Sequence, residues 1–183
     1  MEIKFSLVQN EADLVQILVL QQQNLARHLS SDQIASQGFV TVEHTLEQLQ
    51  KMHRSAPSII AKMGEQVVGY NIAMLPDFRQ EIAVLVQMFD IFDSLMVNGQ
   101  TLGSQRYIVC GQVCVAEAVR GRGVFEGMYV AYQQYYSPLY RYIVTEIADR
   151  NRRSLRAHEK VGFSTWHRYD TPAESWHIVG WEW

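Results

Sequence analysis

The run Arg120-Gly121-Arg122-Gly123-Val124-Phe125 brings two glycines and two guanidinium groups to the point where a strand gives way to a helix. A helix N-terminus offers unpaired backbone N–H groups and the positive end of a dipole, and glycine lets a ligand approach the backbone, so the turn suits an anion. Arg120 and Arg122 add charge in a shape that matches phosphate oxygens. No Gly-Lys-Ser or Gly-Lys-Thr follows, which excludes a P-loop, and a dinucleotide fingerprint would need a third glycine and a strand near the N-terminus. A diphosphate ligand of another kind is favoured. Further on, Asn151, Ser154 and His158 fall on one face of a helix, the first and last about 10 Å apart along its axis, and that face can line an extended ligand. Capping of the helix by Asn151 and Gly162, and a solvated basic face for Arg150, Arg152, Arg153 and Arg156, are the competing structural roles.

The elements that must position these residues follow from hydrophobic periodicity. Residues 2–8 read as a strand and residues 10–27 as a helix carrying Leu14, Ile17, Leu18, Gln21 and Leu25; a second helix runs from Thr41 to His53. Ser58–Met63 and Gln66–Leu75 are β-rich runs around Gly64-Glu65, a hairpin. Residues 79–96 place Ile82, Leu85, Val86, Phe89, Phe92 and Met96 at helical spacing, with Val84 and Ile91 widening the apolar face. The helix is therefore covered on more than one side, by the domain or by a second copy in a homodimer. After a loop at 98–103 come a strand at Arg106–Val115, a helix at Gly123–Tyr136, a strand at Tyr140–Ile147, a helix at Asn151–Val161 and two final strands. The order predicts an α/β (α+β) fold, a mixed, mostly antiparallel, twisted sheet of six or seven strands flanked by helices, with a helical insertion between strands 3 and 4.

The 183 residues, 48% hydrophobic and 19% charged, fit a single domain over 1–183, with 76–105 as the insertion. Sixteen Lys and Arg against 19 Asp and Glu leave a net charge of −3, which does not favour nucleic acid as a partner. No apolar run reaches membrane-spanning length and the N-terminus lacks a signal-peptide stretch, so no membrane partner and a cytoplasmic location are expected. Cys110 and Cys114 lie four apart on one strand, about 13 Å between Cα atoms, too far for a disulfide, and they lack companion ligands for zinc, so no metal is expected.

The turn also fits the acetyl-CoA signature of the GNAT superfamily of N-acetyltransferases, Gln or Arg, two residues, Gly, one residue, then Gly or Ala, with Phe125 in place of the small residue that usually ends it. The segment Asn151 to Phe163, closing in Glu159-Lys160-Val161-Gly162-Phe163, resembles the family's other recurrent segment. The resemblance covers Val113 to Phe163. It implies acetyl-CoA as cosubstrate, held by Val113, Val115, Arg120, Gly121, Arg122, Gly123, Val124, Phe125, Asn151 and Ser154, and transfer of the acetyl group to a primary amine of a small molecule or peptide by direct attack in a ternary complex. Splayed strands beside Val113–Val115 would free a backbone N–H for the oxyanion. His158 stands where the family has a Tyr acid, and its neutral form could instead accept a proton from the amine. Glu117 and Glu146 are candidate bases, Asp90 and Asp93 could attract a cationic acceptor, and Trp176, Trp181 and Trp183 could stack on an apolar one. Two rival readings are a non-catalytic acyl-CoA-binding regulatory module and an interaction protein in which the glycine turn is structural.

Overall fold

The computed structural model describes residues 2–82 and 85–183, and the side chains of all of these except Ser31, Ala35 and Ser36; Val84 of the expected helix lies outside the described residues. The elements in order are β1 (Ile3–Leu7), α1 (Glu11–Asn24), α2 (Ser31–Gln37), α3 (Leu46–Ser55), β2 (Ile59–Met63), β3 (Gln66–Met74), α4 (Val86–Ser94), β4 (Met96–Val97), β5 (Gln100–Thr101), β6 (Tyr107–Val115), α5 (Val124–Tyr136), β7 (Tyr142–Ala148), α6 (Arg152–Val161), β8 (Ser164–Asp170) and β9 (Ser175–Glu182). The starts of α1, α2 and α3 carry oxygen-bearing caps, which satisfy unpaired first-turn amides. Asn10 accepts from Asp13 N, and Ser30 with Gln33 and Thr45 with Gln48 form capping boxes.

Seven strands form one sheet in the order β1-β2-β3-β6-β7-β9-β8. Gly64-Glu65 closes the β2–β3 hairpin, whose ladder starts at Met63 opposite Gln66. Every neighbouring pair is antiparallel except β6–β7, which are joined by the α5 crossover and run parallel. Alternation along the strands feeds one apolar cluster on each face. The first gathers Leu14, Ile17 and Leu20 of α1, Leu49 and Met52 of α3, and Phe89 and Phe92 of α4 over Ile60, Tyr70, Ile72, Val109 and Val144. The second gathers Val124, Met128, Tyr129 and Tyr132 of α5 over Ile59, Ala73, Ile108 and Ile143. Each fully buried Ile or Phe contributes roughly 1.5–3 kcal/mol, so the central strands are fixed from both sides.

Two features of β6 decide where a site can form. Its register with β3 slips between Ile72 and Ala73, which pair with Gln112 and Cys110, so Gly111 is an extra residue. The bulge reverses the alternation: Cys110 joins the second cluster and Cys114 the first, where an unbroken strand would put both on one face. Both thiols are free and buried. Just before the bulge β6 also leaves β7, because their ladder covers only Tyr107–Val109 against Tyr142–Val144.

The segment 79–96 departs from the single helix its spacing predicts. Pro76–Glu81 form a 3-10 turn that ends where Ile82 is extended (φ −135°, ψ 100°), and α4 stops at Leu95, also extended. Met96 lies in β4, exposed, rather than on the helix face. The Asn98-Gly99 turn, at φ +53° and +80°, joins β4 to β5 within the expected loop. The second expected helix starts at Leu46 instead of Thr41, where Thr45 caps it, and α2 has no counterpart in the periodicity reading.

Candidate active site

Where β6 and β7 part, an open cleft of about 540 Å³ runs from the sheet to the glycine turn. Ala116 N donates to Val68 O across the β3 ladder, so by strand alternation Val113 and Val115 turn their backbone groups the other way, toward the cleft. The Val115 carbonyl is taken by Arg120 Nε at 3.1 Å. The turn lies at the far end: Gly121 and Gly123 have φ +76° and +73°, and a Cβ at either would meet nothing within 4 Å, since both face the open cleft. Gly123 precedes α5 without a side-chain cap, which leaves the first-turn amides of α5 for a ligand.

Nine of the ten residues expected to hold the cofactor line this cleft: Val113, Val115, Arg120, Gly121, Gly123, Val124, Phe125, Asn151 and Ser154. Arg122 is exposed and does not line it. The Arg120 guanidinium is committed to neutral protein oxygens, Gln37 Oε1 at 2.6 Å and Asn24 Oδ1 at 2.7 Å besides Val115 O, so it braces the cleft wall. Phe125 is accommodated by rings beneath it, 5.0 Å from both Tyr129 and His158. Of the basic cluster, Arg150 and Arg152 pair with Glu174 and Asp149, whereas Arg153 and Arg156 line the cleft with Lys160. Four cations therefore face one carboxylate, Glu126, in a lining that suits a polyanion.

The periodicity reading missed the third wall, formed by α2 and Gly38-Phe39-Val40. Asn151 Nδ2 donates to Phe39 O at 3.0 Å, Val40 N to Asn24 O at 3.0 Å, and Gln112 Nε2 to Val42 O at 2.7 Å. Beneath it Gln21 bonds His44 and Gln112, and Tyr70 OH donates to Gln112 Oε1 at 2.6 Å. The Ser30-x-x-Gln33 capping box and Gly38 were the available signals.

A smaller cavity of about 70 Å³ adjoins the cleft at the strand parting, and both are lined by Phe39, Val40, Val113, Asn151 and Ser154. The smaller one adds His158, Glu146, Trp176 and the bulge residue Gly111, so the predicted face Asn151–Ser154–His158 converges there. His158 is fully buried. Its Nδ1 lies 2.8 Å from Ser154 O and so carries the proton, and its Nε2 accepts from Tyr129 OH at 2.7 Å. Burial pushes its pKa down to about 4, so near pH 7 it is neutral, with no free proton to give from Nε2.

Glu146 is the carboxylate of this cavity. Burial raises its pKa to about 7, partly offset by the hydrogen bond that Tyr169 OH donates to Oε2. Glu117, the other candidate base, is exposed on the 3-10 turn Glu117–Val119, lines neither cavity, and accepts from Gln37 Nε2 at 3.2 Å. Asp90 and Asp93 pair with Arg79, and Asp93 also accepts from Tyr107 OH, so both belong to the packing of the insertion. Trp181 and Trp183 pack on the second cluster; only Trp176 of the three reaches a cavity. Among the described residues no cluster of three or more His, Cys, Asp or Glu is placed to hold a metal, and no helix is long and apolar enough to cross a membrane.

No family model matches the chain in sequence, and no curated protein does. Solved structures match its shape. A chain of the NatC complex, crystallised with Gag peptide and CoA, aligns with a TM-score of 0.66 at 14% identity, over 100% of this chain and 99% of that one. The ribosomal-protein-S18-alanine N-acetyltransferase of Escherichia coli aligns at 0.64 and 10% identity, over 99% and 94%. A GNAT-family acetyltransferase from Streptococcus agalactiae aligns at 0.66 and 11% identity, over 99% and 95%. At these identities the likeness establishes the fold, which is the GNAT fold.

Proposed function

We propose that this chain is a GNAT-superfamily N-acetyltransferase that binds acetyl-CoA in the β6–β7 cleft and moves the acetyl group to a primary amine within a ternary complex. The observation that carries the reading is the parting of β6 from β7 after Val109, which opens a cleft with free strand amides at one end and an uncapped glycine turn at the other. Similar structures that hold CoA, or that are named for N-acetyl transfer, support it. The reading takes residues 1–183 as one catalytic domain with 76–105 as its insertion.

The diphosphate lies on the amides of Gly121 to Phe125, with Arg153, Arg156 and Lys160 lending charge, and the pantetheine arm runs along Val113 and Val115 past Asn151. The acetyl group then sits where the two cavities meet. Glu146 takes the proton from an acceptor ammonium or its attacking nitrogen, directly or through water, and a base with a pKa near 7 suits that work at neutral pH. The neutral amine attacks the thioester carbonyl, and a backbone N–H of the parted β6 edge receives the negative charge on oxygen. When the C–S bond breaks the thiolate leaves beside Ser154, which lines both cavities, and takes up through water the remaining proton of the tetrahedral nitrogen or the one held by Glu146, so that the products are the amide and the CoA thiol. His158 Nδ1 fixes the Ser154 carbonyl and thereby this turn of α6. A half-buried carboxylate in the smaller cavity favours turnover over a non-catalytic binding module.

The test is thiol release from acetyl-CoA on addition of primary amines, with Glu146→Gln alongside. Amine-dependent release from the wild type, lowered about 10²- to 10⁴-fold in the variant, is the expected result. Equal rates would remove Glu146 from the chemistry, and no release with any amine would remove the transferase reading.

A further inference from the structure

Trp176 is the one tryptophan that the core does not use. Trp166 packs on the first cluster and meets Tyr142 at 5.8 Å; Trp181 and Trp183 pack on the second and meet each other at 5.5 Å. Trp176 belongs to neither cluster and pairs with no other ring among the described residues, yet it is half-buried and lines the smaller cavity. It shares a sheet face with Glu146, since β9 pairs Trp176 with Ala148 and Ile178 with Glu146, and Ile178 lies in the first cluster. Phe39, on the same lining, is also outside both clusters, and its ring lies 4.5 Å beneath the Arg150 guanidinium.

Charge around this cavity is as informative as shape. Among the described residues no Lys or Arg lines it, and Glu146 is the one carboxylate that does. The carboxylates next along the chain are already engaged: Glu43 with Arg27 at 2.6 Å, Asp149 with Arg152 at 2.6 Å and His177 at 2.7 Å, and Glu174 with Arg150. A second or third ammonium on the acceptor would meet cations that hold these groups. A volume of about 70 Å³ admits the amine and a short stem, leaving the rest of the acceptor at the mouth.

Resting on the transferase reading above, we infer that the acceptor is a small primary amine with a single positive charge on an aromatic body, its nitrogen at Glu146 and its ring against Trp176 and Phe39. A flat ring there covers the half-buried Trp176 and meets Phe39 at the cavity wall, and a single ammonium matches a single carboxylate. Polyamines and aminoglycosides lack the ring and carry charges for which this site has no partners.

The experiment compares 2-phenylethylamine, methylamine and spermidine as acceptors in acetyl-CoA thiol release by the full chain, with Trp176→Ala and Trp176→Phe tested on 2-phenylethylamine. The wild type is expected to prefer 2-phenylethylamine by about tenfold or more in kcat/KM. Trp176→Ala should raise its KM about tenfold and Trp176→Phe should restore most of the loss, with acetyl-CoA titration reporting whether each variant has folded. Spermidine or methylamine turned over as well as 2-phenylethylamine would overturn the inference and leave the transferase reading standing; so would an unmoved KM in a Trp176→Ala protein that binds acetyl-CoA. Should neither variant fold, the wild-type order of the three amines decides alone. Absence of release with all three would overturn the inference, and the transferase reading falls only if no primary amine gives release.

Discussion

Glu146 and His158 sit at one cavity, and burial moves both pKa values against the charged form, upward for the acid and downward for the base. The consequence for Glu146 is an activity that rises with pH through about 7 as the carboxylate becomes the base, a limb that a kcat/KM profile with a primary amine would show. Tyr169→Phe removes the hydrogen bond that favours the ionised form, so this limb should move to higher pH. Stability carries the opposite sign. A carboxyl whose pKa is raised on folding, from 4.5 to about 7, becomes a growing cost as pH climbs between those values. Glu146→Gln should therefore be more stable than the wild type at pH 8, as thermal melting would report, while losing activity. His158 and His44, both lowered from 6.5 to about 4 by burial, stabilise the fold above pH 6.5 and lose that contribution as pH falls through 4. Urea midpoints measured from pH 7 to pH 4 should decline across that window, less so in His158→Gln.

Among the elements, the glycine turn, the uncapped start of α5 and the cap and stop of α6 were legible in the sequence, because φ > 0 and helix ends demand particular residue types. The bulge at Gly111 was not, since one extra residue in an apolar strand leaves the composition unchanged and shows only when Cys110 and Cys114 face opposite ways. The wall of α2 and Gly38–Val40 was missed because much of its hold is long-range polar contact, through Asn151, Gln112 and Arg120, rather than a repeating apolar face. The 79–96 run misled for the converse reason: its apolar spacing was real, but Ile82 and Leu95 turn extended and divide it. Arg120 is where the elements can be tested. Arg120→Met should lower the melting temperature by several degrees, as it strips three hydrogen bonds joining β6 to α1 and α2, and should weaken acetyl-CoA binding by loosening that wall. Gly123→Val places a branched side chain at φ +73° inside the cleft, and calorimetry should find its acetyl-CoA affinity reduced by tenfold or more, at about the strain of 1–2 kcal/mol expected for that backbone.

At the scale of the whole molecule, one parallel pair in an otherwise antiparallel sheet supplies the opening, and both apolar clusters continue along β6 past the point of parting, through Cys110 and Cys114, so the strands separate without either leaving the core. The element order made the sheet predictable, but the point of parting, three paired residues long on each strand, follows from tertiary contacts that no local pattern encodes. The most direct measurement is calorimetric titration of acetyl-CoA into the purified protein. Acetyl-CoA should bind at a single site with micromolar affinity, weakened in Gly123→Val. The absence of any binding heat across temperatures, with the protein folded, would contradict it.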